Sequence, residues 1–238
     1  MSFVDFFYNM EPKPFSVVLL GPPGSGKSSG ALCLSRFFQL EHIDMGRELR
    51  NIATQDTSLG KEVYHDIYEK NSLIPSRIIE DIMRNDICQR KECEKGIILD
   101  GAPRRLDQVE SIERIFKEKG FPILCVVSLL VNEEVLIERV KKRYFCPRCF
   151  SFYIDGHDVA DATKDPCPRC RYPLTRREDD TPEGLRRRFF VFREETTPVI
   201  EAYRTRGILM EIDGNREQEV VCQDIHNRIV SLLKEKDV

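Results

Sequence analysis

The feature that most constrains this chain is Gly21-Pro22-Pro23-Gly24-Ser25-Gly26-Lys27-Ser28, which fits the pattern G-x-x-x-x-G-K-[ST]. It follows the apolar run Phe15-Ser16-Val17-Val18-Leu19-Leu20 and precedes a helical pattern through Ala31, Leu34 and Phe38. Strand, glycine-rich turn and helix in that order curl successive backbone N–H groups around a polyphosphate and add the positive end of the helix. Gly24, Ser25 and Gly26 form the cradle, and Lys27 reaches the β- and γ-phosphates. Ser28 or Ser29 brings a hydroxyl near magnesium or the α-phosphate.

Further β-type runs end in polar or turn residues. They are Gly96-Ile97-Ile98-Leu99 before Asp100, Cys125 to Leu130 before Asn132, and Leu209 to Ile212 before Asp213. Their near-continuous apolar character predicts strands buried on both faces, as in a parallel sheet. Helical patterns lie between them. Leu185, Phe189, Phe192, Thr196, Val199 and Tyr203 keep helical spacing behind the start signal Thr181-Pro182. Pro75 opens a helix through Ile78, Ile79, Ile82 and Met83, Asn132 caps one through Leu136 and Val140, and Ile225, Ile229 and Leu232 mark one near the C-terminus. Alternating strands and helices predict a doubly wound α/β core. Asp100, at a strand end downstream of the phosphate loop, is the candidate magnesium carboxylate, acting through water.

Cys146-Pro-Arg-Cys149 and Cys167-Pro-Arg-Cys170 are two C-x-x-C units with 17 residues between them, the spacing of a structural zinc site. Four sulfur ligands leave no open position, so the zinc is structural and folds a module too small for its own core. The other cysteines, Cys33, Cys88, Cys93, Cys125 and Cys222, have no such spacing and are given no role; Cys33 and Cys125 read as core. An odd count of nine fits a reducing cytoplasm better than a disulfide framework. Met1 to Pro14, acidic before its first lysine, reads as neither a secretory signal nor a transit peptide.

The formal net charge of −3 disfavours a globally basic nucleic-acid binder, and no apolar run approaches the roughly 20 residues of a membrane span. Charge is nevertheless uneven. Residues 139–188 carry 13 Lys/Arg against 8 Asp/Glu, so an anionic ligand is expected there.

In this order the phosphate loop, Asp100-Gly101-Ala102-Pro103-Arg104, the cysteine module and Arg177-Glu178-Asp179-Asp180 before Leu185-Arg186-Arg187-Arg188 resemble the adenylate kinase family, over roughly Phe15 to Leu233. The resemblance implies a P-loop core of five parallel strands flanked by helices, an AMP-binding insertion at 44–74 and a zinc-binding lid at 144–176. It implies magnesium-dependent phosphoryl transfer from ATP to AMP, giving two ADP, by a cytoplasmic monomer with no nucleic-acid or membrane partner. By position, Lys27 is the loop lysine, and Arg50 and Arg104 hold the AMP phosphate. Gln108 reads the AMP base, with Met45 and Gly101 in the same site. Arg139 and Arg143 lie on the ATP side, and Arg177 and Arg188 close over the transferring group.

The chain departs from the family pattern in several places. Met45-Gly46-Arg47 stands where the family has Thr-Gly-Asp, Ser28-Ser29-Gly30 replaces Gly-Thr-Gln, Ala102 replaces an aromatic, and Phe150 replaces a glycine. Met45 and Arg47 keep another acceptor, UMP or CMP, in view. The basic stretch keeps a nucleotide-sensing or RNA-binding zinc ribbon in view, although it lacks the aromatic interleaving of a base-stacking surface.

Overall fold

The structure, a computed structural model, describes residues 13–70 and 72–235; the reading of the first residues as neither signal nor transit peptide falls on 1–12, outside them. Strand β1 (Ser16–Leu20) leads through the glycine-rich turn into helix α1 (Lys27–Phe38). There follow β2 (Glu41–Asp44), α2 (Met45–Ala53), α3 (Ser58–Tyr64) and α4 (Ser76–Asn85). Then come β3 (Ile97–Asp100), α5 (Leu106–Glu118), β4 (Ile123–Leu130) and α6 (Glu133–Lys141). A hairpin of β5 (Arg143–Phe145) and β6 (Phe152–Ile154) precedes α7 (Pro182–Val191), α8 (Thr197–Thr205), β7 (Leu209–Asp213) and α9 (Gln218–Glu235).

Five parallel strands form one sheet in the order β2-β3-β1-β4-β7. In β1, Val18 and Leu20 enter one core with α4, α5 and α8, while Val17 and Leu19 enter the other with α1 and α9. Both faces of the central strands β1, β3 and β4 are thus covered, which is why they read as apolar runs and not as alternation. With β1 central and the order reversing around it, a crevice opens at the carboxyl ends of the strands. Asp44 and Asp100 stand level there, on β2 and β3.

β2 was not among the sequence-predicted strands. It is a four-residue edge strand, Glu-His-Ile-Asp, whose only fully buried side chain is Ile43, so it carries no apolar run. The pattern from Leu185 to Tyr203 is broken by a π turn at Phe192–Thr196, because Pro198 has no N–H to continue the helical ladder. Thr181 caps α7 as expected, its hydroxyl accepting from Gly184 N. The side chain of Asn132 makes no cap bond; its backbone N–H donates instead to Asn215 Oδ1 at 2.9 Å.

Two of the remaining cysteines require a correction. Cys33 on α1 and Cys222 on α9 form a disulfide across 189 positions of sequence. The expectation of reduced cysteines without roles fails here because α1 and α9 pack side by side, with their Cα atoms 6.5 Å apart at this pair, within bonding reach. No spacing rule connects two residues so far apart in the chain. No helix among the described residues is long and apolar enough to cross a membrane.

Candidate active site

Gly24 and Gly26 take φ of 86° and 91°, the left-handed region, and a Cβ on Gly24 would lie 2.9 Å from Val140 on α6. The turn thereby brings the start of α1 toward the carboxyl ends of the strands. Lys27 folds back over the turn, its Nζ donating to Gly21 O at 2.8 Å and Pro22 O at 2.9 Å. Of the two serines, Ser28 makes the carboxylate contact, its hydroxyl donating to Asp100 Oδ2 at 2.5 Å. Burial pushes the Lys27 ammonium down to about 8, against the pull of Asp100. Burial alone would raise the Asp100 carboxyl, but His42, Lys27 and Ser28 outweigh it and hold the acid below its ordinary value.

Opposite the turn, the Arg104 side chain is exposed to the crevice yet enclosed by its walls, and its Nε donates to Gly101 O at 2.9 Å. Gln108 is buried at 3% exposure, with Oε1 accepting from Arg104 N at 2.7 Å. It therefore fixes the bend that carries Arg104. Arg50, on α2, has a buried Nε with no protein partner. Met45 is buried at the start of the same helix, while Arg47 turns to Glu48 at 3.9 Å. Arg139 Nη2 donates to Arg216 O at 3.3 Å.

Two carboxylates organise the remaining arginines. Asp180, 1% exposed, accepts from Arg143 through Nε and Nη2 and from Arg188 Nη1 at 2.8 Å. Asp179 grips Arg177 through Nε at 2.7 Å and Nη2 at 2.6 Å. The motif containing these acids is visible in the sequence, but their job is not. Only the fold shows them holding three guanidiniums together.

Every predicted nucleotide-site residue, from Gly24 to Arg188, lines one cleft of about 1790 Å3. That exceeds the roughly 300–1,000 Å3 of a site for one small ligand. Burial lowers Arg50 to about 10 and Arg188 to about 10, and lowers Arg104 as well. Nearby arginines add to each shift, Arg177 among them in all three. Cations held at such a cost, facing one cleft, are built to meet a polyanion.

The four knuckle cysteines stand apart from the cleft and bring their Sγ atoms within 4.8 Å of one another. Cys146 and Cys170 are 3.4 Å apart, and Cys149 and Cys167 are 3.6 Å apart. A zinc–sulfur tetrahedron with bonds of ~2.3 Å has edges of about 3.8 Å, so this donor set fits zinc. The two knuckles repeat each other. Phe150 N donates to Cys146 O at 2.9 Å, and Arg171 N to Cys167 O at 2.8 Å. Phe150 and Arg171 take φ of 58° and 60°, which explains why glycine suits the position Phe150 occupies.

A model of the adenylate kinase family matches residues 19–208. The chain belongs to the adenylate kinase family. It is 35% identical over 216 residues to the adenylate kinase of Caldanaerobacter subterraneus subsp. tengcongensis, covering 90% of this chain and 96% of that one. It is 34% identical over 212 residues to that of Archaeoglobus fulgidus, covering 88% and 95%. With the adenylate kinase of Kosmotoga olearia it shares 35% identity over 217 residues, 91% of this chain and all of that one. Membership of the adenylate kinase family makes the chain a nucleoside monophosphate kinase, a nucleotide-binding transferase.

Proposed function

We propose that this chain transfers a phosphoryl group reversibly from ATP to AMP, giving two ADP. The observation that carries the reading is the convergence of Lys27, Arg50, Arg104, Arg143, Arg177 and Arg188 on one cleft large enough for two nucleotides. Two polyanions must meet in line, and the charge spread over the transferring group in the transition state calls for cations already in place. No side-chain nucleophile is required.

In this reading Gly24 to Lys27 and Ser29 cradle the ATP phosphates, with Arg139 and Arg143 beside them. Arg50 and Arg104 take the AMP phosphate, with Met45, Gly101 and Gln108 around the acceptor. Arg177 and Arg188 reach the moving group. Ser28 and Asp100 offer hard oxygen donors suited to magnesium, which when bound neutralises β- and γ-oxygens. Residues 144–176 act as a lid and 44–74 as the acceptor-side insertion, together excluding water that would otherwise hydrolyse ATP. The four cysteines suited to zinc fit a cytoplasmic chain, against which the Cys33–Cys222 bond weighs, and a monomer is what the family resemblance implies.

The deciding experiment is a coupled assay on zinc-loaded chain with magnesium, ATP and AMP, UMP or CMP in turn. ADP is expected with AMP. No ADP from AMP, with turnover of a pyrimidine monophosphate, would replace the acceptor; no turnover with any would remove the reading.

The depressed Lys27 adds a pH prediction. Below about pH 8 the ammonium is charged before and after ATP binds, so no proton is exchanged. Above it, phosphate contact restores the charge. ATP binding is therefore expected to take up protons and to weaken as pH rises through 8 toward the ordinary lysine range. Calorimetry in buffers of different ionisation enthalpy reads the uptake, which should vanish in Lys27→Met.

A further inference from the structure

Phe152 had no role in the sequence reading, yet its ring lies at the junction of three phosphate-site arginines. The carbon of the Arg143 guanidinium is 4.8 Å from the ring centroid, that of Arg50 is 5.5 Å away and that of Arg177 is 5.6 Å away. Arg50 also stands 5.8 Å from Phe145, the register partner of Phe152 across the β5–β6 hairpin. Side chains opposed in an antiparallel ladder share a face, so the hairpin has two differentiated sides. Phe145, Phe152 and Arg143 share the face on which the guanidiniums gather. On the other side, Arg176 covers Tyr144, and the Tyr153 hydroxyl lies 3.2 Å from Cys167 Sγ.

The three arginines come from different parts of the chain: α2, the first strand of the hairpin, and the segment after the cysteine module. Like charges brought together repel, and Asp179 and Asp180 reach only Arg143 and Arg177 among the three. Arg50 donates no hydrogen bond to a carboxylate among the described residues, Asp44 acting on it only through space, and its Nε is buried. The negative face of an aromatic ring attracts guanidinium without using its N–H groups. Arg143 and Arg177 are gripped through Nε and Nη2, so stacking leaves their Nη1 groups available to phosphate oxygens.

We infer that Phe152 is a positioning residue, whose ring holds Arg50, Arg143 and Arg177 in register for phosphate and couples the lid hairpin to the acceptor-side arginine. The inference rests on the proposed phosphoryl-transfer site but not on the identity of the acceptor base.

The test uses the full zinc-loaded chain and inorganic tripolyphosphate, a polyanion without a base, with binding read by calorimetry. Phenylalanine analogues carrying increasing numbers of fluorines at position 152 keep the shape of the ring while draining its negative face. The dissociation constant is expected to rise stepwise with fluorination, by about tenfold at full fluorination, while Phe152→Tyr stays within about twofold of the native chain. Zinc content and the thermal midpoint should not change across the series. A constant unchanged by fluorination would overturn the inference, including the case in which Phe152→Leu alone weakens binding, since packing would then be the whole effect. A chain that failed the nucleotide assay yet lost tripolyphosphate affinity on fluorination would overturn the proposed acceptor chemistry and leave this inference standing.

Discussion

Lys27→Met is expected to lower kcat by about three orders of magnitude, with Arg104→Ala close behind. Methionine keeps the apolar stem of Lys27 and removes only the ammonium, which donates to Gly21 O and Pro22 O and, in the proposed reaction, meets the transferring phosphates. The effect should fall on kcat more than on KM, because charge at that point grows as the phosphoryl group moves. Fold loss is not the cause to expect. Since burial lowers the Lys27 pKa to about 8, the charged side chain works against the folded state below that pH. The variant should therefore melt no lower than the native chain at neutral pH, the difference fading as pH rises from 8 toward the unfolded lysine value. Steady-state rates and thermal melts on the same preparations check both halves. An unchanged kcat in either variant would mean that the phosphates lie elsewhere.

The second large effect concerns the cysteine module. Stripping the metal with a strong chelator, or changing Cys146 and Cys149 to serine, is expected to lower kcat/KM by at least about a hundredfold while the core sheet stays folded. The reason is mechanical. The hairpin that carries Arg143 and Phe152 runs directly into Cys146, and Thr175 pairs with Phe145 just before Arg177. Without four sulfurs on one metal, both ends of that ladder lose their anchor, and the arginines no longer arrive together. Metal analysis should find one zinc per chain in reduced protein, and activity should return when zinc is added back. Full activity in metal-free protein would refute the prediction.

What could be read from the sequence followed the range of the interactions involved. The phosphate turn, the knuckles and the Thr181 cap are set within a few residues, so spacing alone exposed them. Strands β1, β3 and β4 showed as apolar runs because both faces of the sheet are covered there, while the edge strand β7 showed through Leu209, Met210 and Ile212 with Glu211 exposed. β2 stayed hidden because an edge strand with one buried side chain has little apolar signature. Other features needed the folded chain. Asp179 and Asp180 gain meaning only when Arg143 and Arg188 approach from elsewhere. Phe152 looks like any aromatic of the cysteine module until α2 supplies Arg50. Gln108 drew attention only through the resemblance, and its contact with Arg104 N, which steadies the bend under that arginine, could be seen only in three dimensions.

The bond between Cys33 and Cys222 has a mechanical corollary. Residues 44–74 and 144–176, the proposed insertion and lid, lie inside the loop it closes, with the phosphate turn just outside. Tension applied to the two ends of the oxidised chain would pass from α1 to α9 through sulfur and bypass everything between, so the intervening residues could be pulled upon only after a reductant had cut that short circuit.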